Sequence, residues 1–230
     1  MMTPITALKT VLKKVPLFAS LSETDLQNLA SLLRREGIEK GENLFRQGDE
    51  GTALYIIMQG RIKISLSRRM EKMTLAILGQ GEFLGEMALL DGQPRSADAV
   101  ALEDSRLYAL NRNDFLSFLL NNDNAVRAIL NALSARLRKT DDLLAEMCFL
   151  NLSARLAKKL VELAESQVLG DKNCRESILK ISQQELGDIL GVSRESINKE
   201  LKILRDKGIL ATSRNFIRIY DLESLKKRMP

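Results

Sequence analysis

The 230-residue chain contains no histidine. That removes the commonest general base, the commonest metal ligand and the usual proximal haem ligand. Carboxylate and lysine chemistry remain, so no enzyme class is excluded outright. No nucleophile, base and metal constellation stands in their place, and an enzyme is not expected. Cysteine is nearly as scarce. Cys148 and Cys174 lie far apart with no CxxC spacing, which argues against a cluster or a structural zinc and for two reduced, inert thiols. Long uncharged apolar runs are also missing, so no membrane span is expected. The start of the chain lacks the basic-then-apolar order of a secretory signal, because Lys13 and Lys14 interrupt Leu12 and Val15; a cytoplasmic protein is expected.

What is present is apolar enough, at 45%, to build one large or two modest cores. The charge is unevenly placed. Residues 1–149 carry 19 basic and 19 acidic side chains, whereas residues 150–230 carry 16 and 11. The whole excess of positive charge lies in the last third, which suggests a polyanionic partner for that module, the alternative being a solvated basic surface.

Nine of the 13 glycines fall between residues 37 and 92. Short segments run between them, at 54–58, 61–66 and 73–78, the second alternating apolar and polar residues as a half-buried strand does. A basic tip, Arg68-Arg69, would join the last two. Residues 100–110 continue the pattern, and many short strands with regular turns indicate a sandwich or jelly-roll barrel. Ahead of it, residues 5–36 read as short helices, with Ser22 capping one of them and Gly37 stopping it. Within the glycine-rich region one stretch stands out. Gly85-Glu86 opens it and Arg95-Ser96-Ala97 closes it, with a short loop ending in proline between. The carboxylate can take hydroxyl protons, the guanidinium can grip phosphate with its planar fork, and Gly85 lets a backbone N–H approach a ligand. The chemistry is that of a sugar-phosphate site.

From Asp114 to about Leu150 the chain reads as helix. Leu130, Leu137 and Leu144 recur every seven residues, as do Val126, Leu133, Thr140 and Met147. Interleaved, they make an a/d seam across residues 126–147 and predict a parallel homodimer, the alternative being a core helix packed on the barrel. Thr140, polar on that seam, calls for a partner such as a ligand edge or its own helix backbone. Arg136, one turn earlier, could meet Glu86. Residues 152–165 form an amphipathic helix and 170–176 a polar link. Beyond it, Ser182 and Glu185 form a capping box, Gly191 makes a tight turn and Ser193 caps a second helix, with Leu186, Leu190, Val192, Ile197 and Leu201 as shared core. Two capped short helices about one glycine are the helix-turn-helix pattern, with 209–211 and 216–220 as a wing. Arg194 and Glu195 begin the second helix, where side chains reach base edges: Arg takes guanine O6 and N7, Glu accepts from cytosine N4. Lys199 and Lys202 follow one and two turns on, within reach of phosphate or a further base.

Taken in order, Gly85-Glu86 with Arg95-Ser96-Ala97, Arg136 to Thr140, and Val192-Ser193-Arg194-Glu195-Ser196 resemble the cyclic-AMP receptor branch of the Crp/Fnr transcription regulators over nearly the whole chain. The resemblance implies an α+β fold: a jelly-roll cyclic nucleotide-binding domain at 1–112, a dimerisation helix at 113–149 and a winged helix-turn-helix domain at 150–230. It implies Glu86 on the ribose 2′-hydroxyl, Arg95 and Ser96 on the cyclic phosphate, Gly85 and Ala97 shaping the cradle, Thr140 and Asp141 at the base, and Arg136 supporting Glu86. It implies that Arg194, Glu195 and Lys202 read a TGTGA-like half-site in a near-palindromic stretch of double-stranded DNA, which Ser182, Gln183, Ser196 and Lys199 also meet. Cyclic AMP is the expected effector, with no metal, haem or iron–sulfur cluster, and RNA polymerase an expected partner. On this view Arg95→Leu should abolish nucleotide binding and leave the fold intact. The chain departs from the pattern at Asp141, where the best-known member has serine, at Gln183, often a basic phosphate contact, and at Glu200, a normally apolar position. Alternatives are a regulator that binds DNA without ligand or senses another molecule, and a nucleotide-binding module acting on a protein.

Overall fold

The computed structural model describes residues 8, 12, 13, 15, 18, 19, 21–68, 71–168, 177–213 and 215–229. The chain divides into two compact units, Met1–Arg138 and Lys139–Pro230. Arg69 of the expected basic tip, Cys174 and the expected link at 170–176 lie outside the described residues, as does most of the segment before residue 21.

In the first unit, helix α1 (Glu23–Leu32) starts where Ser22 accepts a hydrogen bond from the Asp25 N–H. It ends at Leu33, earlier than expected, because Arg34–Ile38 is strand β1 and Gly37 sits in that strand, opposite Arg106. Four of its five residues are exposed, so no apolar alternation marks the strand; pairing with a neighbour makes it. The strands β2 (Asn43–Phe45), β3 (Ala53–Gln59), β4 (Ile62–Arg68), β5 (Glu71–Leu78) and β6 (Phe83–Leu84) follow. The expected strand at 100–110 is two, β7 (Asp98–Ala101) and β8 (Ser105–Asn111), which belong to different sheets. The chain crosses over at 102–104, where the Leu102 N–H bonds to the Arg61 carbonyl and Asp104 accepts from the Lys40 N–H.

Two antiparallel four-stranded sheets result, ordered β1-β8-β3-β6 and β2-β7-β4-β5. Residues of both sheets, among them Ile38, Ile57, Ile62, Ala99 and Leu107, share one apolar core. The other face of the first sheet is covered too. Leu54, Ile56 and Leu110 pack with Leu26 and Leu29 of α1 and with Phe115, Ala125 and Ile129 of the helices that follow. Leu8, Leu12, Val15 and Phe18 are buried in the same cluster. Strand β3 is therefore apolar on both faces, as a central strand buried on both sides must be.

Where a loop was expected after Gly85, the chain forms a short helix, α2 (Glu86–Asp91). The long helix is also two. Asn111, not Asp114, caps α3 (Arg112–Leu120), and Asp114 is the residue whose N–H the cap receives. The chain then breaks at Asn121-Asn122, and Asn122 caps α4 (Asp123–Phe149) through the Ala125 N–H. Asparagine favours turns and caps over helix interiors, which is why the break falls there. Along α4 the seam positions behave in two ways. Val126 and Leu133 lie partly buried against the barrel-side core, while Leu130, Leu137 and Leu144 are about 60% exposed in the isolated chain (57%, 62% and 60%). One face of the helix thus packs on the barrel-side core, and Leu130, Leu137 and Leu144 make an uncovered apolar stripe on another.

The second unit has its own core, built from α5 (Leu152–Val168), β9 (Ser177–Leu179), α6 (Gln183–Leu190), α7 (Arg194–Asp206), β10 (Leu210–Thr212), β11 (Ile217–Ile219) and α8 (Leu222–Lys226). The hairpin β10–β11 was expected; β9, which makes the sheet three-stranded, and α8 were not. Both are too short to carry a readable period.

Candidate functional site

Strand β6 delivers Gly85 with φ +87°, and this left-handed turn starts α2 with Glu86 as its first residue. A β-carbon on Gly85 would lie 2.5 Å from Arg95 Nη1 and 3.1 Å from the Ala53 carbonyl oxygen. Glycine is therefore required twice, for the backbone angle and for the space. Gly85→Ala is expected to destabilise the protein by about 2–4 kcal/mol, combining left-handed strain with overpacking. A thermal melt should fall by roughly 5–15 °C; a midpoint moved by less than about 1 °C would refute the account.

The structure brings Glu86, Arg95 and Arg136 together. Glu86 is 2% exposed and Arg95 4%. Arg95 Nη1 donates to the Gly85 carbonyl at 2.6 Å and Nη2 to the Ala53 carbonyl at 2.7 Å. Its guanidinium carbon lies 4.2 Å from the centroid of the Phe45 ring. Burial pulls the Arg95 pKa below its ordinary value, opposed by Tyr55, Glu86 and Asp49, and burial pushes the Tyr55 hydroxyl up. Arg136, on α4, pairs with Glu86 Oε1 and donates to the Phe83 carbonyl, with its guanidinium over the Phe83 ring. Two buried atoms of opposite character, Glu86 Oε2 and Arg95 Nε, have no hydrogen-bond partner among the described residues. A buried carboxylate oxygen without a donor and a buried N–H without an acceptor are each costly. Together they fit a ligand carrying a hydroxyl and an anionic oxygen.

The cleft has a volume of about 90 Å³, and Phe45, Leu84, Gly85, Glu86, Arg95 and Ser96 are among the residues lining it. Ala97 is buried beside it; Ser96 is exposed, its hydroxyl 3.8 Å from the Met87 sulfur. Thr140 and Asp141 are exposed on α4, one turn past Arg136. Phe45, Ala53, Tyr55 and Phe83 were missed. Ala53 and Phe83 contribute main-chain carbonyls and Phe45, Tyr55 and Phe83 ring faces; all but Phe83 come from strands distant in sequence, so no local pattern announces them.

In the second unit Ser182 and Glu185 form a reciprocal capping box, and the Ser196 N–H bonds to Ser193. The two helices come close because Gly187 has no side chain: a β-carbon there would lie 2.8 Å from the Val192 carbonyl oxygen. Helix α7 buries Ile197, Leu201 and Leu204, and exposes Arg194, Glu195, Lys199 and Lys202. Leu201 carries the packing beside half-buried Glu200. Glu195 is held below the ordinary carboxylate range by its own N–H, then by the Ser193 hydroxyl. Ser182, Gln183 and Ser196 are half-buried at the two helix starts, where free N–H groups favour anions. One face of a capped helix, basic and uncovered, suits a major groove.

Both parts of the chain match families of known proteins. The family model for a cyclic nucleotide-binding domain matches residues 35–122, and that for a Crp-like helix-turn-helix domain matches residues 154–228. The cyclic AMP receptor protein of Thermus thermophilus is 34% identical over 200 residues, 86% of this chain and 89% of that one. The chain belongs to the Crp/Fnr family. Another relative in the family, a CRP-like cAMP-activated global transcriptional regulator of Mycobacterium tuberculosis, is 27% identical over 95% of this chain and 98% of its own. Among solved structures, the catabolite activator protein of Thermus thermophilus is 31% identical, covering 93% of this chain and 97% of its own, with a TM-score of 0.54. The c-di-GMP responsive global regulator of Xanthomonas campestris shares the fold, with a TM-score of 0.78 at 23% identity over 86% of this chain and 99% of its own. This Crp/Fnr protein is a DNA-binding transcription regulator with a cyclic nucleotide-binding domain, and its relatives are regulators rather than enzymes. Among the described residues no helix is long and apolar enough to cross a membrane.

Proposed function

We propose that this regulator is a cytoplasmic homodimer switched by cyclic AMP, with a nucleotide domain at 1–112, a dimerisation helix at 113–149 and a DNA-binding domain at 150–230. The observation that carries the reading is the pair of unsatisfied buried groups, Glu86 Oε2 and Arg95 Nε. A ribose 2′-hydroxyl donates to the first, and a cyclic phosphate accepts from the second. Gly85 and Ser96 add donors to the phosphate, Ala97 shapes the cradle wall, and Arg136 holds Glu86 in place from α4. The family resemblance assigns the base to Thr140 and Asp141, which are exposed on that helix. An effector bound at the cradle is felt by α4 through Arg136, and this bias between two arrangements is what allostery requires.

The dimer places two α7 helices on a near-palindromic duplex, with Ser182 and Gln183 on the phosphates at the start of α6 and Ser196 near the base edges. RNA polymerase is the partner such a regulator would engage at a promoter. The switching claim is tested by fluorescence anisotropy on an operator duplex, with and without cyclic AMP; equal affinity would overturn it. A second reading, another purine nucleotide as effector, is favoured by Asp141. Its carboxylate only accepts hydrogen bonds, and its two oxygens match the adjacent N1–H and N2–H of guanine better than the single amino group of adenine. A calorimetric titration of cyclic AMP against cyclic GMP separates the two.

The DNA face carries its own prediction. Arg194→Ala should cost about 1–3 kcal/mol at the cognate site and relax the preference for guanine at one position. Lys202→Ala should weaken binding evenly across sequences and lower the slope of log affinity against log salt by about 1. Reversal of these two behaviours in an anisotropy titration over salt would move the base contact from Arg194 to Lys202.

A further inference from the structure

The guanidinium of Arg95 is held in its own plane by two carbonyls, at 2.6 Å and 2.7 Å. Those bonds hold the two Nη ends, and the tilt of the plane about the line between them matters. Two-pronged recognition of phosphate needs the fork and the anion to be coplanar. A ring lies against the guanidinium. The Phe45 centroid lies 4.2 Å from the Arg95 guanidinium carbon, and the Tyr55 centroid lies 5.9 Å from it. The two rings are themselves 6.1 Å apart and inclined at 31°.

Phe45 does not reach this position by regular strand geometry. In the pairing of β2 with β7, Asn43 lies opposite Val100 and Phe45 opposite Ala99, so two steps on one strand match one on the other. Such a bulge re-aims a side chain. Here it brings the ring to the Arg95 face, half-buried at the cradle wall. With one face on Phe45, two N–H groups on carbonyls and Nε unsatisfied, the guanidinium meets an incoming anion by its Nε edge.

We infer that Phe45 is a positioning residue for the effector phosphate, acting through the face of its ring on Arg95. This rests on the reading that Arg95 grips the phosphate. A ring that merely fills space would be replaceable by any side chain of similar bulk. A ring that orients a cation depends on the negative charge of its π-face. The two roles separate on substitution of Phe45 by pentafluorophenylalanine, which keeps the shape and reverses that charge.

The test is calorimetric titration of the full-length protein with cyclic AMP, and with cyclic GMP and cyclic di-GMP as further probes. Wild type is compared with the pentafluorophenylalanine form, with Phe45→Leu and with Phe45→Trp, and thermal melts establish that each variant is folded. Affinity about tenfold weaker for the fluorinated form and for Phe45→Leu, with Phe45→Trp within about twofold of wild type, is the expected result. Binding by wild type with the fluorinated form equally tight would overturn the positioning role alone. Failure of folded wild type to bind any of the three probes would overturn the effector reading, and this role with it. Should Phe45→Leu fail to fold, the fluorinated form alone decides.

Discussion

Arg95→Leu is expected to weaken cyclic AMP binding by more than about 100-fold. Removing one member of a buried, hydrogen-bonded charge pair costs about 3–5 kcal/mol, and each 1.4 kcal/mol is a factor of ten. The sequence alone suggested that the fold would be untouched. The structure corrects this, because the 4%-exposed guanidinium also satisfies the carbonyls of Gly85 and Ala53. Leucine would strand both, so a loss of about 2–4 kcal/mol in stability should accompany the loss of binding. Arg95→Lys separates the two effects. It keeps the charge, lacks the fork, and should recover part of the stability but little of the affinity. Calorimetry and a thermal melt on both variants check this, and unchanged cyclic AMP affinity in Arg95→Leu would dismiss the cradle as the effector site.

Leu137→Glu is expected to turn a dimer into a monomer. Leu137 is 62% exposed in the isolated chain, flanked along the stripe by Leu130 at 57% and Leu144 at 60%. Covering a leucine is worth about 1.5–3 kcal/mol, and a symmetric interface contains each position twice. Two facing glutamates add an unpaired charge on each side. A rise of about 1,000-fold in the dimer dissociation constant follows. Operator affinity should fall by about 100-fold or more, because the second half-site loses its tether. Sedimentation velocity on wild type and variant measures the first effect and anisotropy the second. A wild type that sediments as a monomer at micromolar concentration would remove the dimer from the mechanism.

How much could be read in advance depended on how local the determinant was. The capping box at Ser182 and Glu185, the turn at Gly191 and the cap at Ser193 are agreements between residues three or four apart, and they were legible. So were β4 and β5, whose pairing follows from a period of two and a short connection. The Glu86–Arg136 pair is legible across 50 residues because Arg136 lies beside the seam one turn from Thr140 and the family resemblance pairs it with Glu86. β1 carries no apolar pattern, and Gly37, a helix stop by sequence alone, is an ordinary strand residue. The crossing at 102–104 and the break at Asn121-Asn122 were read through for a similar reason: apolar residues on both sides outweighed short polar interruptions.

By itself the chain's pattern determined the architecture. Period-two strands, a seven-residue repeat, two capped helices and a basic last third admit few other arrangements, since each depends on neighbours in sequence. Only the tertiary structure decided what the cradle is made of. Its walls include the Ala53 carbonyl, the Phe45 and Phe83 rings and a bulge in β2, brought together by sheet pairing over long sequence separations. Burial then turned Glu86 and Arg95 from two polar residues at the ends of a loop into a pair of unsatisfied groups, since lack of a partner is a property of surroundings that no stretch of sequence contains.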